Sequence, residues 1–190
     1  MKQNKIKKIL LIGFWILLLV GVLAFQVDLI FLQEYKTTRS PFKKGEPVPD
    51  FILPTIEGRK IQLSQYIQAK PTLLVFFSPY SSPCEDEVME LTRYFSSQKQ
   101  ADFQVILVSE ESREALLKFK KEFNPPFPIL WDKEGKVFEK YQISLVPANF
   151  LISPERKLIY SYIGAEGFSV YRIQAQVKFS GKNLELEKKD

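Results

Sequence analysis

The chain reads as an α/β sandwich built on a mixed sheet and preceded by one membrane-spanning helix. Three observations predict this. Residues Ile9 to Val27 are 19 consecutive residues without a formal charge, close to the roughly 20 that span a bilayer as a helix. Two apolar runs of strand length, Pro71 to Phe77 and Phe103 to Val108, are each followed by an amphipathic helical pattern, as in a strand buried on both faces and its crossover. Two more strand patterns, Asn149 to Ile152 and Leu158 to Ile163, are separated only by a turn at Ser153 to Lys157, which adds antiparallel strands.

Taken in order, residues 1–8 form a basic segment carrying Lys2, Lys5, Lys7 and Lys8, expected on the cytoplasmic side. Residues 9–27 then read as a transmembrane signal-anchor. Small residues at Val22-Leu23-Ala24 keep a cleaved signal peptide open as the alternative. Either way the bulk of the chain lies outside the cytoplasm, anchored to a bacterial cell membrane in the first case. Residues 28–44 are a polar, basic juxtamembrane linker, and the domain occupies residues 45–190.

The domain opens with strands at Asp50 to Leu53 and Arg59 to Leu63 around a turn at Glu57-Gly58, with Ser64 as the cap of a helical turn. After the first buried strand, a helix is predicted from Pro83, with Val88, Leu91 and Phe95 on one face and Glu85, Asp86, Glu87 and Glu90 in its first two turns. A second helix fits Ser112 to Phe123, capped by Ser112, with Leu116, Phe119 and Phe123 inward, and Asn124-Pro125-Pro126 stops it. Pro128 to Trp131 is a short strand and Lys136 to Tyr141 a short helix. The last helix is predicted over Phe168 to Phe179, with a charged, frayed end after Gly181.

The formal net charge of +5 is unevenly placed. Residues 1–44 carry a balance of +6, which leaves −1 for residues 45–190. A nearly neutral domain has no electrostatic footprint for nucleic acid. The chain has no histidine, which removes Ser-His-Asp and Cys-His chemistry and histidine metal ligands together. No metal and no cofactor is expected.

Cys84 is the only cysteine, and it closes the segment Val75-Phe76-Phe77-Ser78-Pro79-Tyr80-Ser81-Ser82-Pro83-Cys84. This puts a lone thiol at a helix N-terminus, where backbone N–H groups and the helix dipole favour a thiolate. Three residues earlier, where a C-x-x-C pair would place its attacking cysteine, stands Ser81. A dithiol cycle within the chain is therefore impossible. Glu85, Asp86 and Glu87 beside the thiol oppose its ionisation.

Four stretches together resemble a known family: Gly45-Glu46-Pro47-Val48-Pro49-Asp50-Phe51-Ile52-Leu53-Pro54; Gly58-Arg59-Lys60-Ile61-Gln62-Leu63-Ser64; the strand-to-helix segment ending in Pro83-Cys84; and Ser144-Leu145-Val146-Pro147-Ala148-Asn149-Phe150-Leu151-Ile152. Their order is similar to the thioredoxin-like superfamily, most closely its membrane-anchored TlpA/ResA and AhpC/TSA (redoxin) group. The resemblance implies a thioredoxin-like fold, a mixed central sheet flanked by helices, with an N-terminal β-hairpin extension. It also implies a cis peptide at Val146-Pro147 facing the active-site helix.

In that pattern Cys84 matches the second, more buried cysteine, Ser81 the attacking one, and Tyr80 the usual tryptophan. Peroxiredoxins, which carry a hydroxyl residue three before a single essential cysteine, are a second template. Their proline seven residues before the cysteine is Phe77 here, and their thiolate-activating arginine falls at Pro147. Two functions follow as expectations. In one, Cys84, oriented by Ser81, forms a mixed disulfide with a thiol- or disulfide-bearing partner protein or reacts with peroxide. In the other, the fold works without redox turnover, and a groove of Tyr80, Pro83, Val146 and Pro147 holds a partner polypeptide.

Overall fold

The computed structural model describes residues 11–26, 40–98, 100–164 and 168–187. The chain divides into two units, Met1–Thr38 and Arg39–Asp190. In the first, residues 11–26 form helix α1. Among the described residues no helix is long and apolar enough to cross a membrane. Of the predicted span 9–27, residues 11–26 are helical, while residues 9, 10 and 27 lie outside the described residues, as do the basic segment 1–8 and linker residues 28–39.

The second unit begins with a hairpin of β1 (Ile52–Pro54) and β2 (Lys60–Gln62), paired antiparallel with Leu53 opposite Ile61. Gly58, at φ 95°, makes the turn that an L side chain would resist. Asp50 staples the hairpin. Its carboxylate accepts hydrogen bonds from the side chains of Gln62 and Ser64 and from the backbone N–H of Ser64. Partial burial pushes the Asp50 carboxyl up, but these bonds outweigh it and leave the group below its ordinary value. Ser64 is therefore not the predicted cap: the short helix α2 (Leu63–Tyr66) starts after Gln62, and the Ser64 hydroxyl is engaged by Asp50. A 3-10 turn, Ile67–Ala69, follows.

Strand β3 (Thr72–Phe76) leads into α3 (Ser82–Ser97), then β4 (Gln104–Ser109), α4 (Arg113–Phe123), β5 (Ile129–Trp131), α5 (Lys136–Lys140), β6 (Ala148–Ile152), β7 (Leu158–Ile163) and α6 (Val170–Glu187). The five-stranded sheet runs β5-β4-β3-β6-β7. β3, β4 and β5 are mutually parallel, while β6 and β7 are antiparallel to their neighbours. This is the predicted mixed sheet. Its alternating residues sort into two cores. Leu73, Val75, Val105 and Leu107 face Val88 and Leu91 of α3, Leu116 and Phe119 of α4 and Ile173 of α6. Leu74, Phe76, Ile106 and Val108 face the hairpin, α2 and α5.

Ser112 caps α4 as predicted, its hydroxyl accepting from the Ala115 N–H, and Asn124 closes that helix in the left-handed region. Asp132 anchors α5: its buried carboxylate accepts the N–H groups of Val137 and Phe138. The last helix differs from expectation. It runs on through Gly181 to Glu187, because an exposed glycine weakens a helix by only about 1 kcal/mol and the residues after it are good helix formers.

Candidate active site

The first turn of α3 sits at the C-terminal ends of the parallel strands, where open α/β sheets gather their chemistry. Phe77-Ser78-Pro79-Tyr80 carries the chain from the buried end of β3 to Ser81, the N-cap of α3, which has extended backbone and places no side-chain cap on the helix. The Ser81 side chain lies close enough to the Cys84 thiol to ease its ionisation. The two predicted site residues are thus in contact.

Cys84 itself has no exposed surface. It belongs to the core cluster formed by Val88, Leu91 and Leu73. Burial pushes the thiol above its ordinary value. Hydrogen bonds from Ser81 and from the backbone of Ser78 pull the other way, and the charges of Glu87 and Glu85 push it up again. Desolvation wins because an anion at this depth loses its water and gains only two bonds.

Glu87 is the site residue that sequence reasoning passed over. The Glu85 to Glu87 run reads as helix-start electrostatics, yet Glu87 is only 3% exposed. Neither of its carboxylate oxygens has a hydrogen-bond partner among the described residues, and the amide of Asn149 on β6, buried and facing it, is likewise short of a formed bond. Burial pushes the Glu87 carboxyl up to about 8, the Asn149 amide eases it, and the charge of Glu90 adds to it. Near neutral pH the group is therefore mostly a carboxylic acid, one helical turn beyond Cys84. The available signal was spacing: 84, 87, 88 and 91 fall on one stripe of the helix.

The Val146-Pro147 peptide is cis, as the resemblance implied. Pro147 is buried and Val146 half-buried at the end of β6, while Tyr80 is 73% exposed and Pro83 exposed. Val146, Pro83 and Tyr80 border separate depressions. Val146 lines a cavity of about 150 Å³ with Phe77, Ser78 and Glu111. Pro83 lines one of about 370 Å³ with Glu87, Glu90 and Phe168. Tyr80 and Pro79 line a larger groove of about 670 Å³ against α4. Among the described residues, no cluster of three or more acidic or cysteine side chains is arranged to hold a metal ion.

Against known proteins, residues 44–161 match the model of the AhpC/TSA family. The thiol-disulfide oxidoreductase ResA of Bacillus thuringiensis subsp. konkukian is 28% identical over 167 residues, covering 87% of this chain and 92% of that protein. ResA of Bacillus subtilis is 28% identical over 122 residues, 64% of this chain and 68% of that protein. Among solved structures, a putative thiol:disulfide interchange protein DsbE from Chlorobium tepidum superposes with a TM-score of 0.64 at 23% identity, covering 72% of this chain and 96% of that one. The peroxidoxin BcpB from Mycobacterium tuberculosis gives a TM-score of 0.63 at 22% identity, covering 72% and 97%. At these identities the two structures speak to the fold alone, and that fold is thioredoxin-like.

Proposed function

The chain belongs to the AhpC/TSA family, within the thiol-disulfide oxidoreductase and redoxin group, and from that premise we propose that it is a membrane-anchored, extracytoplasmic thioredoxin-fold protein that holds a partner polypeptide without redox turnover. The observation that carries this reading is the state of Cys84. It is the only cysteine, it is fully buried, and its thiol is pushed away from ionisation. Ser81, at the place of an attacking cysteine, cannot act as a thiolate, because a hydroxyl is far too weak an acid to attack or leave as sulfur does.

Iodoacetamide alkylation of the full-length chain tests this. The folded protein is expected to react at least about a hundredfold more slowly at pH 8 than the protein unfolded in urea, since the thiol must wait for local opening. Rapid alkylation of the folded form, with an apparent pKa below about 8.5, sinks the reading.

That outcome would favour a second function, for which the Ser81 side chain speaks, since it eases ionisation of the thiol. There the Cys84 thiolate attacks a partner disulfide, forms a mixed disulfide and expels the partner's other sulfur as a thiolate. An external thiol then displaces Cys84. With peroxide the thiolate would instead become a sulfenic acid as the O–O bond breaks and water leaves, and an external thiol would reduce it. In neither case is a cofactor required.

Membrane anchoring rests on the uncharged run 9–27 after four lysines, and on a helix over residues 11–26 whose apolar side chains, Leu17 and Phe25 among them, are exposed. The protein should sediment with membranes, resist release by high salt and be solubilised by detergent. Protease added outside intact cells stripped of their wall should digest the domain. Recovery in the salt-soluble fraction, or protection from outside protease, would refute the placement.

A further inference from the structure

The groove beside Tyr80 has properties that the chemistry of Cys84 does not use. It lies between the start of α3 and the outer face of α4. Pro79, Tyr80, Phe119 and Phe123 give it an apolar floor, and Glu85, Glu114 and Glu122 stand along it, with Lys118 its single cation. Tyr80, 73% exposed, borders it and adds a solvent-facing aromatic ring to that apolar lining. The acidity is local: residues 45–190 sum to only −1, yet three carboxylates border this one groove. Opposite-sign charge around an aromatic floor steers and then holds a segment carrying both cations and apolar side chains.

We infer that this groove, rather than the cis-proline side of the site, is where the domain takes hold of its partner, and that the partner presents a basic segment with interspersed apolar side chains. An anionic ligand would meet three carboxylates, and a purely apolar one would leave them desolvated without counter-charge. At about 670 Å³ and open along its solvent side, the groove admits several side chains of a chain passing across it. The inference rests on the partner-binding reading above and gives that reading a location and a chemistry.

The test uses full-length protein in non-ionic detergent, with protein-free micelles as the blank, and fluorescence anisotropy of two labelled ten-residue probes, one alternating Lys and Leu, the other Glu and Leu. The Lys/Leu probe should bind and the Glu/Leu probe should not. The double variant Glu114→Lys/Glu122→Lys should weaken binding by about tenfold or more, and Tyr80→Ala by about fivefold. The double variant Glu134→Lys/Glu139→Lys makes the same change in net charge on exposed residues near and on α5, across the sheet, and should change binding less than about twofold. Spermine should compete poorly because it lacks apolar side chains.

Equal weakening by both double variants, equal binding of both probes, or spermine competing as well as the Lys/Leu peptide would each overturn the inference. Thermal unfolding of every variant shows whether a loss of binding reflects a loss of fold. The two readings fail separately. Fast alkylation of Cys84 with peptide selectivity intact removes only the redox-silent function, while a protected thiol with no peptide selectivity removes only this groove.

Discussion

Stability should fall by several kcal/mol as pH rises from about 5 to 8, and Glu87→Gln should abolish most of that fall. In the unfolded chain the Glu87 carboxyl ionises near its ordinary value of 4.5; in the fold, burial holds it protonated up to about 8. A raised carboxyl pKa means that the native state binds the proton more tightly than the unfolded state. Below about pH 4.5 both states are protonated and nothing is lost. Between the two values the unfolded state alone gains from ionisation, and stability declines by at most about 1.4 kcal/mol per pH unit before levelling above pH 8.

Asp50 and Glu57 shift the other way, so their contributions fade as pH falls through the acid range, outside this window. Cys84, with its thiol raised, continues the decline only at alkaline pH. Urea unfolding of the wild type and Glu87→Gln at half-unit pH steps measures the effect. The neutral amide keeps the shape of the protonated acid, so the variant should match the wild type near pH 5 and exceed it at pH 8. Parallel curves for the two proteins would show that Glu87 does not carry the dependence.

Tyr141→Ala should destabilise the domain by about 3–5 kcal/mol, and Tyr141→Phe by about 1–2. The ring is fully buried, with Phe42, Phe51, Phe76 and Phe150 around it at centroid distances of 5.1 to 6.1 Å. Its hydroxyl donates to the carbonyl of Pro49 at 2.8 Å, which ties the end of α5 to the segment entering the hairpin. Alanine opens a cavity where two sequence-distant pieces meet. Phenylalanine keeps the packing but strands a partly buried carbonyl. Denaturant midpoints at constant slope give both numbers, and a loss below about 1 kcal/mol for Tyr141→Ala would mean that this cluster collapses around the gap.

Much of this molecule was legible before its structure. The buried strands announced themselves as apolar runs, because a strand covered on both faces has no need of alternation. The α4 boundaries followed from Ser112 and from Asn124-Pro125-Pro126, since caps and stops are local chemistry. Errors fell where local signals conflict with distant ones. Ser64 had the right residue type for a cap, but Asp50, fourteen residues away, holds its hydroxyl. Gly181 read as a stop, but the turns around it are adequate helix without it.

Sequence alone determined the order of elements, the uncharged run before the domain, the exclusion of histidine and dithiol chemistry, and the pairing of Ser81 with Cys84 one helical turn apart. Those are consequences of residue type and short-range spacing. Only the tertiary structure decided that Cys84 has no surface, that Glu87 rather than Glu85 or Asp86 turns inward against Asn149, and that Tyr80 faces α4 across an acidic groove. Burial and electrostatic environment are set by what β6, α4 and α6 bring to α3 from far along the chain, and no local pattern around residue 84 encodes those neighbours.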